Sequence, residues 1–382
     1  MEKNKHILIV AGEASGDLHA AHLVKAIRKM RPDTAFLGLG GERLKAEGVE
    51  ICYDIVGLAV VGLFEVLKNL KKFKEIFDGL LQVVDRRKPD LAILVDYPGF
   101  NLRLASELKK RGIPVIYYIS PQVWAWGRGR IATIKRLVDL MLVVFAFEEE
   151  LYKKHGVPAA FIGHPLLDII KTSSSKEEVL MKARLNTQKY TFALLPGSRE
   201  KEVRVLLPIM LDTARLLYRQ KPDSQFLILR SSNVAEDIFR RICASYQIPV
   251  AIASDMTYDG LKASDFALVA SGTATLETAL LGIPMVILYK ISFLTWAYLK
   301  TTVRIPYIGL VNVIRNKKVI AEFIQYDAKP QKIAAYILSV ITDGGAVERI
   351  KQDLRDAVGL LGEKGACERA ARHVVDFLGT LR

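Results

Sequence analysis

The residues best suited to chemistry sit in short segments that directly follow apolar runs. Phe192-Ala193-Leu194-Leu195 leads into Pro196-Gly197-Ser198-Arg199, and Phe266-Ala267-Leu268-Val269-Ala270 leads into Ser271-Gly272-Thr273-Ala274-Thr275-Leu276-Glu277. A strand, a small polar turn and a helix start present backbone N–H groups and the positive end of a helix dipole to phosphate. Arg199 adds a guanidinium suited to a bidentate grip on phosphate oxygens. Glu277 could accept hydrogen bonds from a pair of ribose hydroxyls, the role of an acid in dinucleotide folds. Gly197, Ser198, Arg199, Ser271, Gly272, Thr273, Thr275 and Glu277 together read as a nucleotide-diphosphate site.

Two acids follow other strands. Gly12-Glu13-Ala14-Ser15-Gly16-Asp17 opens a helix but has one glycine too few for a dinucleotide fingerprint, and acids where a pyrophosphate would sit. That counts against NAD or FAD. Either Glu13 is presented to a hydroxyl, or the segment is a capping turn in which Ser15 caps and Asp17 complements the dipole. Asp96 closes Leu91–Val95 and precedes Tyr97-Pro98-Gly99-Phe100-Asn101. A carboxylate at a strand's carboxyl end projects into the crevice where a general base would be placed, and a turn-forming or N-capping aspartate is the competing reading.

Ile119-Ser120-Pro121-Gln122-Val123-Trp124-Ala125-Trp126-Gly127-Arg128 carries two of the three tryptophans, which suits either a sugar or acyl surface or a buried corner. His19 and His22 lack the partners of a metal pair and read as packed or surface residues. Gly163-His164-Pro165 is read as a hinge or a chemical position. No nucleophile elbow, Walker lysine or zinc spacing occurs, so the chemistry expected is direct transfer from a nucleotide-activated donor.

The elements that must position these residues form an α/β chain. Candidate strands Ile7–Ala11, Ala35–Leu39, Leu91–Val95, Val115–Ile119, Met141–Val144 and Ala159–Ile162 alternate with helical patterns, which predicts a doubly wound parallel sheet. The polar run Lys171-Thr172-Ser173-Ser174-Ser175-Lys176-Glu177-Glu178 then breaks the pattern. A second series follows: Phe192–Leu195, Phe226–Leu229, Val250–Ala253, Phe266–Val269 and Met285–Leu288, with helices dominating from about Lys329. Two Rossmann-like domains facing a cleft are expected, 1–170 and 171–382, the terminal helices able to pack back on the first domain or on a second subunit.

At 382 residues the chain exceeds one ordinary core. Its three cysteines, Cys52, Cys243 and Cys367, are too scattered for a disulfide framework or zinc cluster, and a reducing cytoplasm fits. No run is long enough to span a bilayer. The net charge of +14 calls for an anionic partner, and the absence of a nucleic-acid module leaves a phosphorylated substrate or an acidic membrane. Leu63, Leu67, Leu70, Phe73, Phe77, Leu80 and Val84 recur at helical spacing among Lys68, Lys71, Lys72 and Lys74. That stripe reads as packing on a sheet. The glycine-flanked loop before it, Gly57-Leu58-Ala59-Val60-Val61-Gly62-Leu63-Phe64, reads as a membrane or lipid contact.

Taken in order, Gly12–Asp17, Ser120–Trp126, Gly163-His164-Pro165, Leu195–Arg199 and Ser271–Glu277 resemble the lipid A disaccharide synthases, over a span from the first strand to at least Asn312. Each motif is modestly specific alone; the ordered set is highly specific. The resemblance implies an inverting glycosyltransferase of the GT-B architecture that joins UDP-2,3-diacylglucosamine to 2,3-diacylglucosamine 1-phosphate. The products would be a β(1→6) disaccharide 1-phosphate and UDP. It implies diphosphate contacts at Gly197, Ser198, Arg199, Thr273 and Thr275, ribose at Glu277, a family cleft position at Asn312 and no metal, Arg199 and helix dipoles taking its place. It implies Asp96 as base for the acceptor 6-hydroxyl, with Glu13 on the same wall. The family's second acid in the segment after Asp96 is Gly99 here, so Asp96 is the base that this segment offers. A peripheral location on the cytoplasmic face of the inner membrane, against anionic lipid, would give the apolar loop and the charge a purpose. A UDP-N-acetylglucosamine 2-epimerase and a non-catalytic UDP-sugar-binding membrane protein are the alternatives.

Overall fold

The computed structural model describes residues 5–54, 63–124, 129–292, 296 and 306–381, with side chains in the helix Leu63–Arg87 described from residue 71. The apolar loop from Gly57, with the side chain of Phe64, and Ala125 to Arg128 with Trp126 lie outside the described residues. The chain forms two units, Met1–Asp168 with Leu361–Arg382, and Ile169–Leu360. Residues 361–382, assigned by sequence to the second domain, thus belong to the first unit.

The first unit is built on a parallel sheet of β1 (His6–Ala11), β2 (Ala35–Gly40), β3 (Glu50–Asp54), β4 (Leu91–Val95), β5 (Val115–Tyr118), β6 (Leu140–Val143) and β7 (Ala159–Phe161). Their order is β3-β2-β1-β4-β5-β6-β7. β1 and β4 are buried almost throughout, as strands covered by helices on both faces must be. The described part of the lysine-rich helix behaves as its stripe predicts, with Phe73, Ile76, Phe77, Leu80 and Val84 packed on this core. The final helix, Ala366–Thr380, packs along Ala14–Met30 through Ala366, Cys367, Ala370, Ala371, Val374 and Leu378. Asp168 caps it, its carboxylate accepting the N–H groups of Gly365 (2.6 Å) and Cys367 (3.1 Å).

The second unit holds β8 (Tyr190–Leu195), β9 (Ser224–Arg230), β10 (Val250–Ser254), β11 (Phe266–Ala270), β12 (Met285–Tyr289) and β13 (Glu322–Ile324). They are ordered β10-β9-β8-β11-β12-β13, again all parallel. The polar run that reads as a linker is folded into this unit. Ser175 begins the helix Lys176–Lys182 with a reciprocal capping box, and Asp259 accepts the N–H groups of Ser173 and Ser174.

In each sheet the chain winds outward from one central strand and then crosses to its other side. The reversal falls between β1 and β4 in the first sheet and between β8 and β11 in the second. At such a switch point neighbouring connections leave in opposite directions and open a crevice at the carboxyl ends of the strands. The candidate residues follow these four strands.

Candidate active site

In the first unit, Ala11 of β1 is in register with Val95 of β4, so the turns carrying Glu13 and Asp96 emerge side by side. Glu13 is itself the N-cap of the helix Ala14–Met30, and its side chain makes no cap bond there. Ser15 therefore does not take the capping role. Asp17 is buried and turns to a different helix, accepting N–H groups from Gly41 (2.8 Å), Arg43 (3.1 Å) and Leu44 (3.3 Å). It ties the first helix to the start of Glu42–Ala46. The glycine before Glu13 is a packing requirement: a Cβ on Gly12 would lie 2.4 Å from Cδ1 of the Tyr97 ring.

Asp96 (φ 46°) and Tyr97 (φ 44°) are both left-handed, an arrangement that L-residues adopt only when their surroundings impose it. Buried Asn101 supplies the constraint, its Nδ2 donating to the carbonyls of Val95 (3.1 Å) and Asp96 (2.8 Å). The Tyr117 hydroxyl also donates to the Asp96 carbonyl. Tyr97, rather than Asp96, is the N-cap of Pro98–Lys110, again without a side-chain cap bond, so the aspartate carboxyl is not consumed as a cap. Burial, and then repulsion from Glu13, push that carboxyl up to about 7, against a backbone hydrogen bond from Tyr97. An acid poised there is un-ionised in half of the molecules near neutral pH, the condition in which a carboxylate exchanges protons most effectively.

Ser120–Trp124 lies at the same edge, after β5. The indole N–H of Trp124 donates to Oε1 of Glu148 (3.0 Å), and its ring meets Phe147 edge-on. Glu148 is 1 % exposed, and burial pushes it up to about 8. Ser120 Oγ pairs with the Tyr152 hydroxyl at 2.8 Å. His19 and His164 lie edge to face, 6.3 Å between centroids. Burial lowers them to about 4 and about 3, so they are neutral packing residues at physiological pH.

In the second unit, Phe192, Ala193, Leu194 and Leu195 pair with Phe266, Ala267, Leu268 and Val269, which brings the two glycine-hydroxyl turns together. Arg199 is the N-cap of Glu200–Gln220, and Gly272 of Thr273–Leu280. Two helix N-termini thus open at one switch point. Gly197 sits at φ 115°, a region that penalises any side chain, and a Cβ there would lie 2.5 Å from Oε2 of Glu202. Glu202, which sequence reading overlooked, accepts from Ser198 N–H (3.3 Å) and from Arg199 Nη1 (3.0 Å). These are donors that suit a phosphate oxygen. The Thr275 hydroxyl (2.8 Å) and N–H (3.1 Å) both donate inward to the Gly272 carbonyl, so this residue, expected at the diphosphate, closes the helix start instead of presenting a donor to a ligand.

Glu277 lies on the second turn of the helix Thr273–Leu280. Burial raises its pKa, and a 3.2 Å hydrogen bond from the Tyr258 hydroxyl opposes the rise. Asn312 is fully buried and its amide is spent inside the protein. Nδ2 donates to the Ile320 carbonyl and to Glu322 Oε1, both at 2.8 Å, while Oδ1 accepts from Val319 and Ile320 N–H, both at 2.8 Å. Glu322 also takes the N–H groups of Ile308 and Gly309. Asn312 therefore shapes the 308–322 turn and does not present its amide to a ligand, as the expectation of a binding role had it. Among the described residues no group of three or more His, Cys, Asp or Glu is placed to hold a metal ion, and no helix is long and apolar enough to cross a membrane.

A family model for lipid-A-disaccharide synthetase (LpxB) matches residues 7–376. The chain belongs to this family. It is 46% identical over 369 residues to the lipid-A-disaccharide synthase of Syntrophus aciditrophicus, covering 96% of each protein. It is 41% identical over 379 residues to that of Geobacter sulfurreducens, covering 99% of each. Like these relatives it is a glycosyltransferase of lipid A biosynthesis. Among solved structures it superposes on a UDP complex of S. aureus MnaA with TM-score 0.69 at 14% identity, covering 99% of this chain and 97% of that one. It superposes on the glycotransferase of kitacinnamycin with TM-score 0.63 at 14% identity, covering 98% and 100%. At that identity the likeness speaks for the GT-B fold alone. The chain also superposes on the UDP-GlcNAc 2-epimerase of Neisseria meningitidis with TM-score 0.64 at 13% identity, covering 98% and 99%, so the sequence relatives and not the fold separate the synthase from that enzyme.

Proposed function

We propose that the enzyme transfers 2,3-diacylglucosamine from its UDP form to the 6-hydroxyl of 2,3-diacylglucosamine 1-phosphate, with inversion at the anomeric carbon. The observation that carries the reading is the division of chemistry between the two switch points. One offers a carboxyl pushed up to about 7, and the other two helix N-termini, one of them capped by Arg199.

The second switch point holds UDP. Ser198 N–H and the Arg199 guanidinium bind the diphosphate, taking the place of Glu202 on those donors. Ser271, Gly272 and Thr273 add the other helix N-terminus, whose first turn Thr275 closes, and Glu277 accepts from the ribose hydroxyls. Asn312 acts through Glu322 and the 308–309 turn. Asp96 removes the acceptor proton as the 6-oxygen attacks the anomeric carbon, and the bond from that carbon to the UDP oxygen breaks. The proton ends on Asp96 and the electron pair on UDP. Glu13 keeps Asp96 basic by repelling its charge. Arg199 and the helix N-termini stabilise the negative charge on the leaving diphosphate, the part that a divalent cation plays in other transferases. The +14 charge and the loop from Gly57 draw the enzyme to the anionic inner-membrane surface, where its acylated substrates lie.

The test is thin-layer chromatography of purified protein with UDP-2,3-diacylglucosamine and radiolabelled 2,3-diacylglucosamine 1-phosphate, with EDTA present. A labelled disaccharide 1-phosphate and stoichiometric UDP are expected. UDP-sugar turnover without acceptor would replace the reading with an epimerase, and dependence on added metal would remove Arg199 from its role.

A further inference from the structure

We propose that Tyr258 is a positioning residue that aims the Glu277 carboxylate at the nucleotide ribose; this deepens the reading of Glu277 given above and rests on it. Tyr258 lies on the short helix Thr257–Lys262, which follows β10, whereas Glu277 lies on the helix that follows β11. In the sheet order these strands are separated by β9 and β8, so the pair is remote within the sheet as well as in sequence. Handedness brings them together. The chain runs from β10 back to β11 and then on to β12, in one direction across the sheet. Right-handed crossovers in one direction place both connecting helices on the same face. There the Tyr258 hydroxyl reaches Glu277 Oε1 at 3.2 Å.

The helix that carries Tyr258 is held in place. Asp259, the next residue, accepts Ser173 N–H at 2.7 Å and Ser174 N–H at 3.2 Å. On its other side Gly260 approaches the sheet so closely that a Cβ would lie 2.3 Å from Cδ2 of Leu229. Gly260 N–H closes the turn on the Met256 carbonyl at 2.8 Å. A phenol on such a support holds one oxygen of a flexible glutamate, which leaves the second for the ribose and lessens the ordering needed on binding. The same hydrogen bond favours the ionised acid, which accepts from hydroxyls more strongly than the neutral form. Burial works in the opposite direction at this carboxyl.

The experiment is calorimetric titration of UDP and of 2′,3′-dideoxy-UDP, which lacks both ribose hydroxyls, into the wild-type enzyme, Tyr258→Phe and Glu277→Gln between pH 6 and 8.5. The ratio of the two affinities isolates the ribose contribution and cancels titration of the shared diphosphate. The wild type prefers UDP. Tyr258→Phe is expected to reduce that preference roughly three- to tenfold, about the worth of one hydrogen bond, and to leave dideoxy-UDP binding unchanged. Its remaining preference should fade at a higher pH than in the wild type as the solution is acidified. An unchanged ratio in Tyr258→Phe, alongside a collapsed ratio in Glu277→Gln, would overturn the positioning role. Equal weakening of both ligands would reduce Tyr258 to a packing residue and overturn it too. An unchanged ratio in Glu277→Gln would overturn the ribose assignment itself.

Discussion

Asp96→Asn is expected to cut turnover sharply and at the same time to stabilise the fold, by an amount that depends on pH. The carboxyl rises from an ordinary 3.8 to about 7, first through burial and second through repulsion from Glu13. At 1.36 kcal/mol per unit, a rise of about three units puts a penalty of about 4 kcal/mol on the charged form. The folded value lies above the unfolded one, so ionisation favours unfolding. The penalty is absent below about pH 4, grows between about pH 4 and 7 and is complete above that window. Asparagine keeps the shape and carries no charge, so its advantage over the wild type should shrink by about 2–3 kcal/mol between pH 8 and pH 5. That difference cancels any constant contribution from the new amide. Native-state hydrogen exchange at the β1 and β4 amides reads the stability of this unit without assuming that the whole chain unfolds in one step. Turnover of the same variant should fall by about 10²–10⁴ with UDP binding retained. A stability gain that does not vary with pH would show that Asp96 is an ordinary ionised carboxylate, and near-normal turnover would remove it as the base.

Arg199→Ala should lower kcat by about 10²–10³, or about 3–4 kcal/mol of transition-state stabilisation; an unchanged steady-state rate would remove the diphosphate assignment. Asn312→Ala leaves the Ile320 N–H without its acceptor, at about 1–3 kcal/mol, while the Val319 N–H keeps the Lys317 carbonyl at 3.0 Å. Its melting temperature in differential scanning calorimetry should fall, and an unaltered one would show that Asn312 does not brace its turn. Glu148 is raised from 4.5 to about 8, so it is protonated at neutral pH and its charge burdens the fold only as pH rises through that range. The wild-type tryptophan fluorescence minus that of Glu148→Gln should titrate with a midpoint near 8 through the bond from Trp124; a midpoint near 4.5 would contradict the burial argument. Gly197→Ala should abolish UDP binding in calorimetry, since a Cβ at φ 115° both strains the turn and strikes Glu202.

The central strands are legible in the sequence because parallel strands covered on both faces must be continuous apolar runs, and β1, β4, β8 and β11 are. The edge strands β3 and β13 are not legible: Glu50–Asp54 and Glu322–Ile324 are exposed or half-buried, so no apolar run marks them. The same logic divides the site. Gly197-Ser198-Arg199, Ser271-Gly272-Thr273 and Asp96 announce themselves because a turn after a strand is a local pattern, fixed by neighbours along the chain.

What the turns touch is decided elsewhere. Tyr258 reaches Glu277 only because two crossovers share a hand, and Glu202 claims Ser198 and Arg199 only once the helix Glu200–Gln220 has formed. The proton affinity of Asp96 belongs to the fold as well, since neither its burial nor the nearness of Glu13 exists before β1 and β4 pair. Sequence determined which groups the chain carries and where its strands stop, because those depend on local sterics and hydrophobic patterning. Tertiary structure decided which groups meet and how tightly each holds a proton, because dielectric surroundings and distances between remote residues are properties of the packed molecule.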